Sequence, residues 1–194
     1  MVFLLAVVAG AAFGAGDQYL GSLSALPWAA PSSLLSAPWL LLPFTFGWTQ
    51  VRPRRAVLAG LVATLSALAG YCVMTLTPVE GVHVSADPGA IVALLRSEDM
   101  VIAASVITGP LYGFLGYRWR VQRWWVSAVL VAGAVCLEPL AQGVTGHLQA
   151  PAAVWIAEAA AGLALSGFFL AAGLVHRRAT AQGPGNATPP IPGT

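Results

Sequence analysis

The stretch AVLAGLVATLSALAGYCVMTLT, residues 56–77, decides the fold of this chain. It holds no charged residue, and about 20 apolar residues are enough to cross the hydrocarbon core of a bilayer as an α-helix. The rest of the chain has the same character, because 58% of its 194 residues are hydrophobic, only 8% are charged, and the mean hydropathy is +0.78. A soluble domain carries about 25% charged residues. We therefore expect an all-α, polytopic transmembrane bundle.

Five further apolar segments bring the predicted number of spans to six. They cover residues 1–16, 34–50, 99–117, 124–142 and 153–175. The first is short for a span and has a signal peptide as its alternative, although it lacks a positive amino-terminal region. Asp87-Pro88 predicts the start of a short interfacial helix within loop 78–98. We expect one transmembrane domain over residues 1–178 and a disordered, Pro/Gly-rich cytoplasmic tail over 179–194.

Arginine placement predicts the orientation of these spans. All nine basic residues are arginines, and eight of them follow the second, fourth or sixth segment. These three places lie on one side of a six-span bundle, and the positive-inside rule puts that side in the cytoplasm. We therefore expect a multi-pass protein of the bacterial inner membrane with both termini inside. Tryptophans near the predicted boundaries suit an aromatic belt at the two interfaces: Trp28, Trp119, Trp124, Trp125 and Trp155.

Two acidic residues lie inside predicted spans. Glu138 is in the fifth segment and Glu158 is in the sixth, and the expected orientation places both toward the outer end. A charge within a bilayer is costly, and such residues usually face a bundle interior or a watery cavity. Desolvation also disfavours the charged form of a carboxyl group there.

A polar pocket open to the outer face is the functional interpretation of these acids. Gln142 follows Glu138 at helical spacing, and Tyr71 and Thr75 close the third segment on the same side. We predict that Glu138, Glu158, Gln142, Tyr71 and Thr75 bind a small-molecule ligand, either a cation or a substrate amine or hydroxyl group. The alternative is two structural acids that are hydrogen-bonded to neighbouring helices.

Glycines at i, i+4 spacing predict close helix packing. Gly10 and Gly14 bracket an aromatic residue in the first segment, and Gly109 and Gly113 do the same in the fourth. One interpretation is an inverted repeat of three plus three spans, a common transporter plan. The other is that both are small-xxx-small packing motifs.

The motifs of known enzymes and cofactor sites do not occur. The sequence has no GxSxG, HExxH or P-loop. Cys72 and Cys136 have no zinc-type spacing, and the loop histidines His83 and His147 have no spacing that argues for a shared metal. A net charge of +2 gives no indication of nucleic-acid binding. We therefore predict no catalytic residue, no metal and no cofactor.

The order of five motifs resembles a group of small actinobacterial membrane proteins of unknown function. The motifs are GAAFGAGDQYLGSL (10–23), SSLLSAPW (32–39), GLVATLSALAGYCVMTL (60–76), ASVITGPLYGFLG (104–116) and CLEPLA (136–141). The resemblance implies a six-span fold and a source, and it brings no activity.

The architecture is also similar to the substrate-capturing membrane subunits of energy-coupling-factor transporters. That similarity implies a ligand near the outer face and an ATPase-coupled membrane partner that docks on small residues of the first helix, here Ala11, Gly14 and Ala15. The sequence thus predicts a binding or transport component. Its alternative is a non-transporting accessory subunit that packs against another membrane protein through glycine-rich helix faces.

Overall fold

The computed structural model describes residues 1–23, 33, 35, 37–77, 87–123, 125–145 and 151–181. These residues form seven α-helices and no strand, which confirms the all-α fold. The helices are α1 (Val2–Ser22), α2 (Ala37–Trp48), α3 (Pro53–Thr75), α4 (Pro88–Ser97), α5 (Asp99–Gln122), α6 (Trp125–Thr145) and α7 (Ala152–Ala181).

Local sequence signals explain where several helices begin and end. Pro53 opens α3, where its missing N–H leaves no donor unsatisfied. Asp87 caps α4 by accepting a hydrogen bond from the Ala90 N–H at 2.8 Å. Arg123 ends α5 in the left-handed region, with φ 47°. The short helix predicted after Asp87 is therefore present as α4.

Three helices run further than the sequence predicted. Helix α1 continues through Asp17 to Ser22, and α5 continues through the arginine-rich link to Gln122. Helix α7 reaches Ala181, so the first three residues of the predicted tail are helical. Polar and arginine residues at these ends extend the helices instead of breaking them, because neither proline nor a turn signal interrupts them.

Four helical stretches are long and apolar enough to cross a membrane: Val2–Ser22, Pro53–Thr75, Asp99–Gln122 and Ala152–Val175. Helix α2 has only 12 residues, which gives a length of about 18 Å, whereas the hydrocarbon core is about 30 Å thick. The apolar part of α6, Trp125–Leu140, is also shorter than the four. Large apolar side chains, among them Leu5, Val73, Ile107 and Leu163, are exposed on all four. Soluble monomers rarely expose apolar surface on this scale.

Helix α3 is the central element of the amino-terminal part. One of its faces packs on α1 and another on α5. A Cβ added to Gly14 would overlap the backbone of Ala67, and one added to Gly70 would overlap the backbone of Ala11. Small residues thus let the α1 and α3 backbones touch directly, which is how helices gain packing energy where lipid provides no hydrophobic drive.

The second glycine motif packs on the opposite face of α3. A Cβ on Gly113 would lie 2.5 Å from the Ala56 carbonyl oxygen and 3.1 Å from the Gly60 Cα. Gly47 of α2 approaches Gly113 as well. Helices α2, α3 and α5 therefore meet at one glycine.

A cluster of aromatic rings joins the α6–α7 hairpin to the rest. Phe169 of α7 packs edge-on against Trp119 of α5, with ring centroids 4.8 Å apart, and against Phe44 of α2 at 5.8 Å. Trp119 is only 1% exposed, and Trp155 is also buried. The sequence predicted both in an interfacial belt. Both are instead buried where their helices pack against neighbouring helices. Trp125 is exposed, and Trp28 and Trp124 lie outside the described residues.

Candidate functional site

The two acids that the sequence predicted to lie within spans are close together. Glu138 on α6 and Glu158 on α7 are 7% and 4% exposed. The Glu158 side chain is within hydrogen-bonding reach of Glu138, so the two carboxyl groups face each other across the hairpin. We call them the glutamate pair.

Close helix packing brings the pair together. A Cβ on Gly162 would lie 2.5 Å from the Sγ of Cys136 and 2.9 Å from its backbone nitrogen. Gly162 is one turn beyond Glu158 on α7, and Cys136 is two residues before Glu138 on α6. The backbones of α6 and α7 therefore lie close together next to the two glutamates.

The chemistry of the pair follows from the hydrogen bonds that two carboxyl groups can form. No N–H or O–H donor among the described residues bonds to either carboxylate oxygen of Glu158. A carboxylate only accepts hydrogen bonds, so a bond between two carboxyl groups needs a proton on one of them. The pair can therefore hold one proton, or exchange it for a cation that carries its own N–H donors. A primary amine or a guanidinium group has this chemistry.

The pair lies deep in the hairpin. Seven residues separate Glu138 from Thr145 at the end of α6, and six separate Glu158 from Ala152 at the start of α7. At 1.5 Å per residue, both carboxyl groups lie about 10 Å below the helix ends. Gln142 is one turn nearer that end on α6, and its side chain lies outside the described residues.

Tyr71 and Thr75 belong to a different group of residues, on the α1–α2–α3 side. Tyr71 packs edge-on against Trp39, with centroids 6.3 Å apart, and Thr75 donates a hydrogen bond to the Tyr71 carbonyl at 2.9 Å. The carboxyl groups close enough to Tyr71 to act on it by charge are Asp17 and Glu98. The structure therefore brings Glu138 and Glu158 together and places Tyr71 and Thr75 in a second polar group.

Trp39 is the centre of that second group, and the sequence did not single it out. Its indole Nε1–H donates to Asp17 Oδ2 at 3.2 Å, and its ring packs against Phe13 with centroids 5.3 Å apart. A tryptophan at the start of an apolar helix resembles an ordinary interfacial anchor. The sequence signal that could have indicated a partner such as Trp39 was Asp17, because an acid in an otherwise uncharged helix needs a hydrogen-bond donor.

Metal binding has no support in the part of the chain that the structure describes. No group of three or more His, Cys, Asp and Glu side chains lies close enough there to hold a metal ion. Cys72 and Cys136 are both free thiols. The loop histidines His83 and His147 lie outside the described residues.

A cavity of about 510 Å³ lies at the other end of the hairpin, away from the glutamate pair. It opens between the end of α5, the start of α6 and the second half of α7. Ala132 on α6 and Ser166 on α7 form its deepest walls toward the glutamates. The pair and the cavity are therefore separate features of one hairpin.

The comparisons with known proteins add no family and no function to this geometry. No protein family, curated protein or solved structure matches the chain. The class of the protein is set by its own fold and composition, because the described residues form helices, four of which are long and apolar enough to cross a membrane. Its apolar helices are compatible with an integral membrane protein.

Proposed function

We propose that this chain is a multi-pass protein of the bacterial cell membrane that binds or transports a small molecule at the glutamate pair. The observation that carries the proposal is the contact between Glu138 and Glu158, both almost fully buried inside an apolar hairpin. In this proposal, α2 and α6 each cross the membrane together with the residues that flank them. The chain then has six spans, and both termini lie in the cytoplasm.

Stability alone does not account for two acids at this place. Burying a charged group costs several kcal/mol, and replacing buried ionic groups by apolar side chains of similar volume is often neutral or stabilising. Leucine at both positions would pack the hairpin without that cost. Intramembrane ionisable residues of this kind commonly mark a substrate or ion path.

The ligand class follows from the chemistry of two facing carboxyl groups. Two facing carboxyl groups supply acceptors and, with one proton, a single donor. The best complement is a cation with several N–H groups, such as a primary amine. Gln142 lies one turn closer to the helix end and is proposed to add an amide to the same site. Tyr71 and Thr75 line the second polar group near that end and are proposed to contact the ligand on its path.

An accessory-subunit role draws no support from the glycine faces. Gly10, Gly14, Gly109 and Gly113 all pack against α3 of the same chain. Ala11 and Gly14, which the transporter-like architecture would use for docking a partner, also contact α3. A partner subunit would therefore have to use another surface, so we favour the binding site over the assembly role.

A thermal-shift screen of the purified protein in detergent tests the proposal. Amines, vitamins, metal ions and lipids are added singly to the wild type, to Glu138→Gln and to Glu98→Gln. We expect an amine to raise the unfolding temperature of the wild type and of Glu98→Gln, and to leave that of Glu138→Gln unchanged. A stabilising amine that acts equally on all three proteins would show that the ligand binds elsewhere.

A further inference from the structure

The cavity at the Arg123 end of the hairpin has the form of a lateral groove. Its walls come from α6 and α7 and include Ala132, Phe169 and Gly173. Leu170 and Leu174 at its rim are 64% and 57% exposed, so the groove opens sideways on the apolar surface of the bundle. A volume of about 510 Å³ is within the range of small-molecule sites. We call it the Arg123 groove.

One end of the groove is basic and aromatic. Arg123 and Trp125 line it where α5 ends and α6 begins. The Arg123 guanidinium lies over the Trp119 ring at 5.4 Å from the centroid, which holds it at the mouth of the groove. The left-handed backbone of Arg123 turns the chain here, so this residue stands at the junction of the two helices.

The groove itself brings no acid to its basic end. Arg120, three residues before Arg123 on α5, donates hydrogen bonds to the Trp48 and Thr49 carbonyls at 3.1 and 2.9 Å. No Asp or Glu is among the described residues that line the groove. An anion bound there therefore meets an arginine and no competing carboxylate among those residues.

We propose that the Arg123 groove binds one anionic phospholipid of the cytoplasmic leaflet. An acyl chain lies along the apolar walls, and the phosphate meets Arg123 at the mouth. A free phosphate would leave the apolar walls uncovered, and a zwitterionic lipid would bring a positive group to a basic surface. Basic pockets between helices on the cytoplasmic side are suited to anionic headgroups. This site is independent of the glutamate pair.

Lipid binding to the protein in detergent tests the proposal. Phosphatidylglycerol and phosphatidylcholine with the same acyl chains are titrated, and the bound lipid is counted by native mass spectrometry. We expect the wild type to prefer phosphatidylglycerol. Arg123→Gln should weaken phosphatidylglycerol binding about five- to tenfold, since an arginine near an anionic headgroup contributes about 1 kcal/mol or slightly more. Phosphatidylcholine binding should not change.

Two pairs of variants separate the groove from the general surface. A Cβ on Gly173 or on Gly167 meets no atom within 4 Å, so leucine fits at either place, but only Gly173 lines the groove. Gly173→Leu should weaken both lipids severalfold, and Gly167→Leu neither. Arg54→Gln, which removes an exposed charge at the same end but outside the groove, should leave both affinities unchanged.

Two results would overturn the proposal. Equal losses of phosphatidylglycerol affinity in Arg54→Gln and Arg123→Gln would show that the lipid is attracted to the basic surface as a whole. Unchanged lipid binding in Gly173→Leu would show that the groove is not used. If Gly173→Leu does not purify as a folded protein, Val129→Trp on the opposite wall provides the same test, because Val129 is half exposed and has room to grow. A groove that instead pairs two copies would give a dimer and no bound lipid.

Discussion

The carboxyl groups of Glu138 and Glu158 meet across two helices, one turn from the point where Gly162 packs on Cys136. Each helix alone would carry an isolated acid into an apolar environment, which is costly for a charged group. In the hairpin, the Glu158 side chain is instead within hydrogen-bonding reach of Glu138. The pair is therefore a unit, and its members should respond together when either is changed.

The first prediction concerns the stability of this unit. Glu158→Gln should unfold at the same temperature as the wild type or higher, because the amide donates to Glu138 without needing a proton. Glu158→Ala should destabilise by about 1–3 kcal/mol, because it removes a polar group within reach of the buried Glu138 and leaves a void. Thermal unfolding in detergent, followed by intrinsic tryptophan fluorescence, compares them. A lower stability of the glutamine than of the alanine variant would contradict the pairing.

The second prediction concerns the glycine contact between α1 and α3. Gly14→Ala should destabilise by about 1–3 kcal/mol, since its Cβ would overlap the Ala67 backbone, which cannot move aside. Gly16→Ala on the same helix is the control, because its Cβ meets nothing within 4 Å. It should be neutral or stabilising by up to about 1 kcal/mol, the helix propensity gain of alanine. Similar unfolding temperatures for the two variants would show that α1 does not pack on α3 in this way.

The third prediction concerns Trp39. Trp39→Phe keeps an aromatic ring between Phe13 and Tyr71 but removes the N–H that binds Asp17. We expect a loss of about 1 kcal/mol, since both groups are only partly buried. Trp48→Phe on the same helix is the matched control and should have a smaller effect. If Trp39→Phe and Trp48→Phe are equally stable, the bond to Asp17 contributes nothing measurable.

The fourth prediction concerns orientation. Cysteines are introduced singly at Ser97 and Arg54, both exposed, in a protein that lacks Cys72 and Cys136. A membrane-impermeant maleimide added to intact cells should label the cysteine at position 97 and not the one at position 54. Permeabilised cells should show labelling at both positions. The reverse pattern in intact cells would invert the six-span arrangement, and labelling of both would place the two positions on one side.

Sequence reasoning located the helices well because their apolar periodicity is long and strong. Residues 56–77 predicted a span, and α3 covers Pro53–Thr75. Boundaries were less predictable, because apolar character marks the membrane-buried part and not the end of the hydrogen-bonded helix. Helix α5 continues to Gln122 through Arg118, Trp119 and Arg120, which the sequence assigned to a link.

The sequence could predict the glutamate pair, but it could not predict which other residues lie near the pair. Glu138 and Glu158 stood out because each is an acid in an apolar segment, and two consecutive spans with a short loop are neighbours. The sequence predicted Tyr71 and Thr75 at the same membrane depth as the glutamates, but depth does not determine which helices are in contact. Their contacts with Trp39 follow from the small residues that let α1, α2 and α3 pack closely. The spacing of small residues predicts close packing, but it does not identify the partner helix.

The most direct test of the central claim is a double-mutant cycle on ligand affinity. The dissociation constant of the stabilising amine is measured for the wild type, Glu138→Gln, Glu158→Gln and the double variant, with the exposed Asp99→Asn as the control. If the two carboxyl groups form one site, each single change should weaken binding about tenfold or more, and the double variant should lose no more than the worse single one. An affinity that survives either change, or losses that add in full, would contradict a shared site.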